Sequence, residues 1–207
     1  MNWKIIDKSK TEQPIGKYSS WKDILAVEGY NQCVYCSTKD YRLGGIRHFH
    51  VEHYKPKSKF PDLEDVITNL FYACPICNVF KSNDWYKLTG NLNNKQYPDP
   101  SNYNYDNLFT IKPDGLIEGK NKCGEYIINK LALNRGQLII DRKFKLLLEG
   151  YSSLKNEYHK IVLTLIDNNS NEAKSILKSL ILSYQKVIDK KDLMFESAPY
   201  DIIDTKK

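Results

Sequence analysis

Two Cys-x-x-C pairs, Cys33-Val34-Tyr35-Cys36 and Cys74-Pro75-Ile76-Cys77, constrain this chain more than any other feature. Four thiolates suit one tetrahedral zinc, and an ion held by both pairs brings two distant stretches of chain together. The pairs are therefore read as a structural clasp. Within and beside it lie His50-Val51-Glu52-His53, Asn69-Leu70 and Asn78. A carboxylate, an imidazole that titrates near neutral pH and an amide oxygen suit a hard ion such as Mg²⁺ and a phosphodiester substrate. Four unliganded thiols are a poorer reading of two correctly spaced pairs, and a redox role lacks the helix-strand context of a thioredoxin-type motif.

Composition narrows the class. With 207 residues and a hydrophobic fraction of 41% the chain can build one medium domain or two small ones. No run approaches the roughly 18 apolar residues of a membrane span, and the N-terminal Met1-Asn2-Trp3-Lys4-Ile5-Ile6-Asp7 lacks the pattern of a signal peptide, so a cytoplasmic location is expected. The cysteine count agrees: of five, Cys123 is left over as a free thiol. The formal charge of +6 falls to about +4 once four thiolates and Zn²⁺ are included, which permits nucleic-acid binding without demonstrating it.

Patterning places the motifs on elements. Ser20-Trp21-Lys22-Asp23 reads as a capping box before a short helix that ends at Gly29. Ile46 to Tyr54 alternates as a strand does, which puts Glu52 and His53 on opposite faces unless the strand ends or bends there. Pro75 to Lys81 opens a short helix, giving a ββα arrangement. A loop-rich stretch from Ser82 to Lys122 carries a hairpin signal around Pro113-Asp114-Gly115. From Glu125 the pattern is helical, with a break at Asp167-Asn168-Asn169-Ser170 and a last amphipathic helix carrying Ile176, Leu177, Leu180, Ile181, Tyr184, Val187 and Ile188.

The run His50 to Lys57, the central Asn69-Leu70 and the run Cys74 to Lys81 together resemble the HNH (His-Me finger) endonuclease motif with its zinc-knuckle extension. The resemblance spans Cys33 to Lys81. It implies His53 as the general base that takes a proton from the attacking water, and Asn69 as the residue that braces the loop and orients that base. It implies Glu52 and Asn78 as ligands of a catalytic Mg²⁺ or Mn²⁺, Cys33, Cys36, Cys74 and Cys77 as ligands of structural Zn²⁺, and products with 5′-phosphate and 3′-hydroxyl ends. Lys55, Lys57 and Lys59, with Arg47 and Lys81, form a cationic set suited to a DNA backbone. The roles of His48 and His50 stay open, and Asn83 and Asp84 are read as an exposed cap. Leu131-Ala132-Leu133-Asn134-Arg135, with Arg142, is similar to the tail of HNH nucleases from Septu-type and retron-associated antiphage systems, which act beside an ATPase.

The expected protein is α+β, with a zinc-clasped ββα-metal core and a helical C-terminal region. Residues 1–122 are expected to hold the nuclease core and its hairpin extension, and residues 123–207 a helical region suited to docking a partner. The expected function is metal-dependent hydrolysis of DNA phosphodiesters, as the effector of a bacterial antiphage system with an ATPase partner. Two competitors are a non-catalytic zinc-knuckle module that binds nucleic acid and a stand-alone restriction or homing nuclease. Intact Glu52, His53 and Asn78 argue against the first. The second calls for a separate DNA-reading domain that the C-terminal half does not resemble.

Overall fold

A computed structural model describes residues 3–9, 11–166 and 170–196. The chain divides into two compact units, Met1–Ile140 and Asp141–Lys207.

In the first unit, helix α1 (Lys22–Glu28) precedes strand β1 (His50–His53), strand β2 (Leu70–Ala73) and helix α2 (Pro75–Lys81). β1 and β2 pair antiparallel, with His50 opposite Ala73, Glu52 opposite Phe71 and His53 opposite Leu70. All four residues of β2 are buried, so this strand is covered on both faces. Helix α1 packs against both strands. The core around them includes Trp3, Trp21, Leu25, Tyr35, Phe49, Tyr54 and Tyr72.

Two local expectations are corrected. Ser20 does not cap α1: its hydroxyl donates back to the Lys17 carbonyl at 2.8 Å, because Ser20 closes a 3₁₀ turn of its own, and Trp21 at the N-cap supplies no side-chain bond. The strand expected from Ile46 is shorter. Ile46–His48 form a 3₁₀ turn entered through Gly44 and Gly45, both at positive φ, and β1 begins only at His50.

After α2, a hairpin joins β3 (Phe109–Ile111) to β4 (Ile117–Gly119), and helix α3 (Lys122–Lys130) packs onto β4. The approach is close enough to require two glycines. A Cβ on Gly119 would lie 2.3 Å from the Glu125 nitrogen, and one on Gly124 2.4 Å from the Leu108 carbonyl oxygen. This packing carries α3 into the first unit, along with the buried Cys123, Ile127, Ile128, Leu131 and Leu133. The boundary expected at 122/123 is therefore replaced by one after Ile140. An Asn121 side-chain cap, accepting from Gly124 N at 2.9 Å, starts α3.

Helix α4 (Gly136–Ile166) runs across the division, and α5 (Asn171–Glu196) belongs to the second unit. Ser170 caps α5 by accepting from Ala173 N at 3.1 Å, while 167–169 of the expected break lie outside the described residues. Within this unit Tyr184 stacks on Tyr158 at 5.6 Å, and its hydroxyl meets that of Tyr151 at 2.7 Å. On α5, Leu177, Leu180, Tyr184, Val187 and Ile188 are half-buried, whereas Ile176 and Ile181 are exposed. Among the described residues no helix is long and apolar enough to cross a membrane.

Candidate functional site

The clasp forms where a tight turn meets a helix start. Cys33 N donates to the Thr38 carbonyl at 2.9 Å and Ser37 N to the Cys33 carbonyl at 2.8 Å, which folds the first pair into a knuckle with Ser37 at φ 52°. Cys74 is the N-cap of α2, where its sulfur accepts from Cys77 N at 3.4 Å, and Pro75 takes the first helical position. The Sγ atoms of Cys33, Cys36, Cys74 and Cys77 lie within 4.8 Å of one another, all four residues fully buried. Four sulfurs about 2.3 Å from a tetrahedral zinc stand about 3.8 Å apart. Cys36 and Cys74 are 3.7 Å apart, so the donor set fits zinc in chemistry and in size.

Sequence reading missed what faces this cluster. The Arg135 guanidinium reaches the sulfurs of Cys77 at 3.7 Å and Cys74 at 3.9 Å, and bonds the Leu131 carbonyl at 3.1 Å. Arg135 sits between α3 and α4 after Ala132, a non-glycine residue at φ 46°. A cation there offsets the negative charge of zinc bound by four thiolates. Its neighbour Asn134 is also occupied, exchanging two hydrogen bonds of 2.9 Å with the Ile117 backbone. Nothing local in the sequence marks the contact, since 58 positions separate Arg135 from Cys77.

Glu52, His53, Lys57 and Asn78 line one cleft of about 410 Å³, together with Ser82 and Asn83. The expected acid, base and amide thus share a wall, because β1 ends at His53 and both of its last residues reach the opening. His53 is half-buried. Its Nε2 lies 3.0 Å from the Glu64 carbonyl and its ring stands edge-on to Tyr18 at 4.7 Å. A carbonyl only accepts, so Nε2 carries the hydrogen and Nδ1 keeps a lone pair. Burial lowers the imidazole pKa below its usual 6.5, which favours the neutral ring.

Asn69 is buried, and its side chain bonds the backbone of the 55–63 loop. Its Oδ1 accepts from Lys55 N at 2.9 Å, and its Nδ2 donates to the carbonyls of Lys55 at 3.1 Å and Leu63 at 3.2 Å. One amide thereby pins both ends of the 55–63 loop, and the next residue, Glu64, supplies the carbonyl that holds His53. Asn69 thus ties the loop backbone together through its side chain.

Glu52 is 3% exposed, and its Oε1 lies 2.6 Å from Lys81 Nζ and 3.1 Å from the Tyr35 hydroxyl. Burial raises its carboxyl pKa and the Lys81 charge opposes the rise. Lys81 is fully buried and donates also to the His53 carbonyl at 3.0 Å. The expectation that Lys81 contacts nucleic acid is therefore corrected: its ammonium is spent inside the core on Glu52. Asn78, half-buried on α2, approaches His50 Nδ1 at 3.4 Å, which puts His50 beside the amide. Asp84 is no exposed cap either, since its Oδ2 accepts from the hydroxyls of Tyr97 at 2.7 Å and Tyr126.

Of the other cations, Arg47, Lys57 and Lys59 are exposed and Lys55 is half-buried over the Phe60 ring at 5.9 Å. Lys57 is engaged by Glu64 at 2.8 Å and Tyr18 at 3.0 Å. An exposed pair of this kind contributes little to stability and leaves the charge near the cleft mouth.

Residues 33–84 match the family described as HNH endonuclease. The matched segment contains the cysteine cluster and Glu52, His53, Lys57, Asn78, Ser82 and Asn83 of the cleft. No curated protein matches the chain. The family match supports nuclease activity in general for this segment.

Proposed function

We propose that the chain is a metal-dependent HNH endonuclease that hydrolyses DNA phosphodiesters, built on a zinc-clasped ββα core of the His-Me finger type. The observation that carries this reading is the shared cleft of Glu52, His53 and Asn78 inside the segment that matches the family. In it His53 Nδ1 receives the proton of the attacking water while Nε2 stays bonded to Glu64, so the ring gains a proton without turning. Asn69 holds the loop that makes this possible.

Glu52 and Asn78 would present the carboxylate and amide oxygens that a Mg²⁺ or Mn²⁺ ion prefers, and the Lys81 and Tyr35 contacts of Glu52 both fall on Oε1. When bound, such an ion offsets charge on the phosphate and the departing oxygen. Lys81 opposes the rise that burial imposes on the Glu52 carboxyl pKa. Arg47, Lys55, Lys57 and Lys59 attract the backbone without reading sequence.

Two metals with separate jobs follow from soft thiolates in one place and oxygen donors in another. Purified protein should retain one zinc per chain by elemental analysis, yet cut DNA only after Mg²⁺ or Mn²⁺ is added. Folded, active protein free of zinc would reject the clasp, and undiminished cutting in chelator would reject the second metal.

The reading extends to a nuclease effector acting beside an ATPase in bacterial antiphage defence. Its support is the likeness of Leu131–Arg135 and Arg142 to the tail of such proteins and the separate helical unit after Ile140.

A further inference from the structure

A second concave site lies outside the cleft and has no part in the mechanism above. Lys95, Lys122 and Lys130, Tyr126 and the amides of Asn94 and Asn129 line a pocket of about 770 Å³ at the exposed face of α3. Three lysines outweigh one acidic neighbour, Glu125. Lys95 stands 5.7 Å above the Tyr126 ring, and Tyr86 closes on that ring edge-on at 5.4 Å, so the aromatic surface has cations and amides around it. The pocket is tied to the cleft. The Tyr126 hydroxyl bonds Asp84, the residue after Asn83 on the cleft wall, and Tyr97 locks the same carboxylate at 2.7 Å.

We propose that this pocket binds an unpaired nucleotide of the DNA strand that enters the cleft. Lysines at its rim take backbone phosphates, and the base stacks on Tyr126 with its edge against the asparagine amides. Bases inside a duplex are stacked on their neighbours and offer no free face to the Tyr126 ring, so the site favours single-stranded flanks over paired DNA. The proposal deepens the nuclease reading and rests on it for the identity of the polymer.

The test compares the full-length, zinc-loaded protein with the variant Lys95→Glu, Lys122→Glu. Both side chains are exposed, so melting temperature and zinc content serve as checks on folding. Binding is measured by fluorescence anisotropy, without added divalent ion, on a blunt DNA duplex and on the same duplex with a single-stranded overhang. Wild-type protein should bind the overhang substrate about tenfold more tightly, and the variant should lose that gain. The salt dependence of overhang binding should also fall, by a slope of about 0.7 for each phosphate contact removed. An equal preference for the overhang in both proteins, or none in the wild type, overturns the pocket. The nuclease reading fails by a different result, a wild type that binds DNA and cuts none with Mg²⁺ or Mn²⁺.

Discussion

Glu52 and Lys81 decide how the cleft behaves as a pair of charges. Burying either alone is costly, and the 2.6 Å contact is what permits both. Replacing Lys81 by Met keeps the length of the stem and removes the charge, which should destabilise the protein by about 3–5 kcal/mol at neutral pH. The pH dependence follows from the direction of the Glu52 shift. Its carboxyl pKa in the folded protein lies above the usual 4.5, so the folded state holds the proton more tightly than the unfolded one and stability falls as pH rises through that window. Losing Lys81 raises it further. The deficit of Lys81→Met should therefore be largest above neutrality and shrink as the pH approaches 4.5 from above, measured by denaturant unfolding across that range. An equal deficit at both ends would mean that packing of the stem, not the charge pair, is what Lys81 supplies.

At the scale of elements, the parts with strong local signals were legible in the sequence. The Cys-x-x-C spacing located the knuckle and the start of α2, and the Pro-Asp-Gly turn located the β3–β4 hairpin. Asn78 directly follows the second cysteine pair and His53 closes the run His50 to His53, and the fold brings both to one cleft wall. What stayed hidden depends on contacts distant along the chain. Lys81 reads as a surface cation because a lysine in the last turn of a helix usually is one, and only the partner 29 residues earlier turns it inward. Arg135 reads as part of a leucine-rich helix, and the glycine pair that draws α3 onto β4 moves the domain boundary past it. The final helix tests that boundary. Removing Asn171 to Lys207 should leave zinc bound and the first unit folded, because among the described residues its core cluster ends at Leu138, and under the proposed function a co-expressed ATPase partner should no longer co-purify. A truncated protein that loses its zinc would place α5 in the core and end the docking reading.

For the whole molecule, the account comes down to a division of labour. The cysteine cluster and Arg135 hold the start of α2, β1 pairs with β2 up to His53, and Asn69 ties the loop that precedes the Glu64 carbonyl bonded to the imidazole. Under the proposed function, cations around the opening would supply most of the attraction for DNA, and binding and chemistry would reside on different side chains. The most direct test is single-turnover cleavage of a DNA substrate by wild type and His53→Ala at saturating protein with Mg²⁺, with any activating partner present. General-base help contributes about a hundred- to ten-thousand-fold in rate, and the variant should lose that much while keeping its zinc, its melting temperature and its affinity for DNA. The wild-type rate should hold to a pH below 6.5 before it falls, since the buried ring resists protonation. A His53→Ala protein that cuts at the wild-type rate would contradict the account.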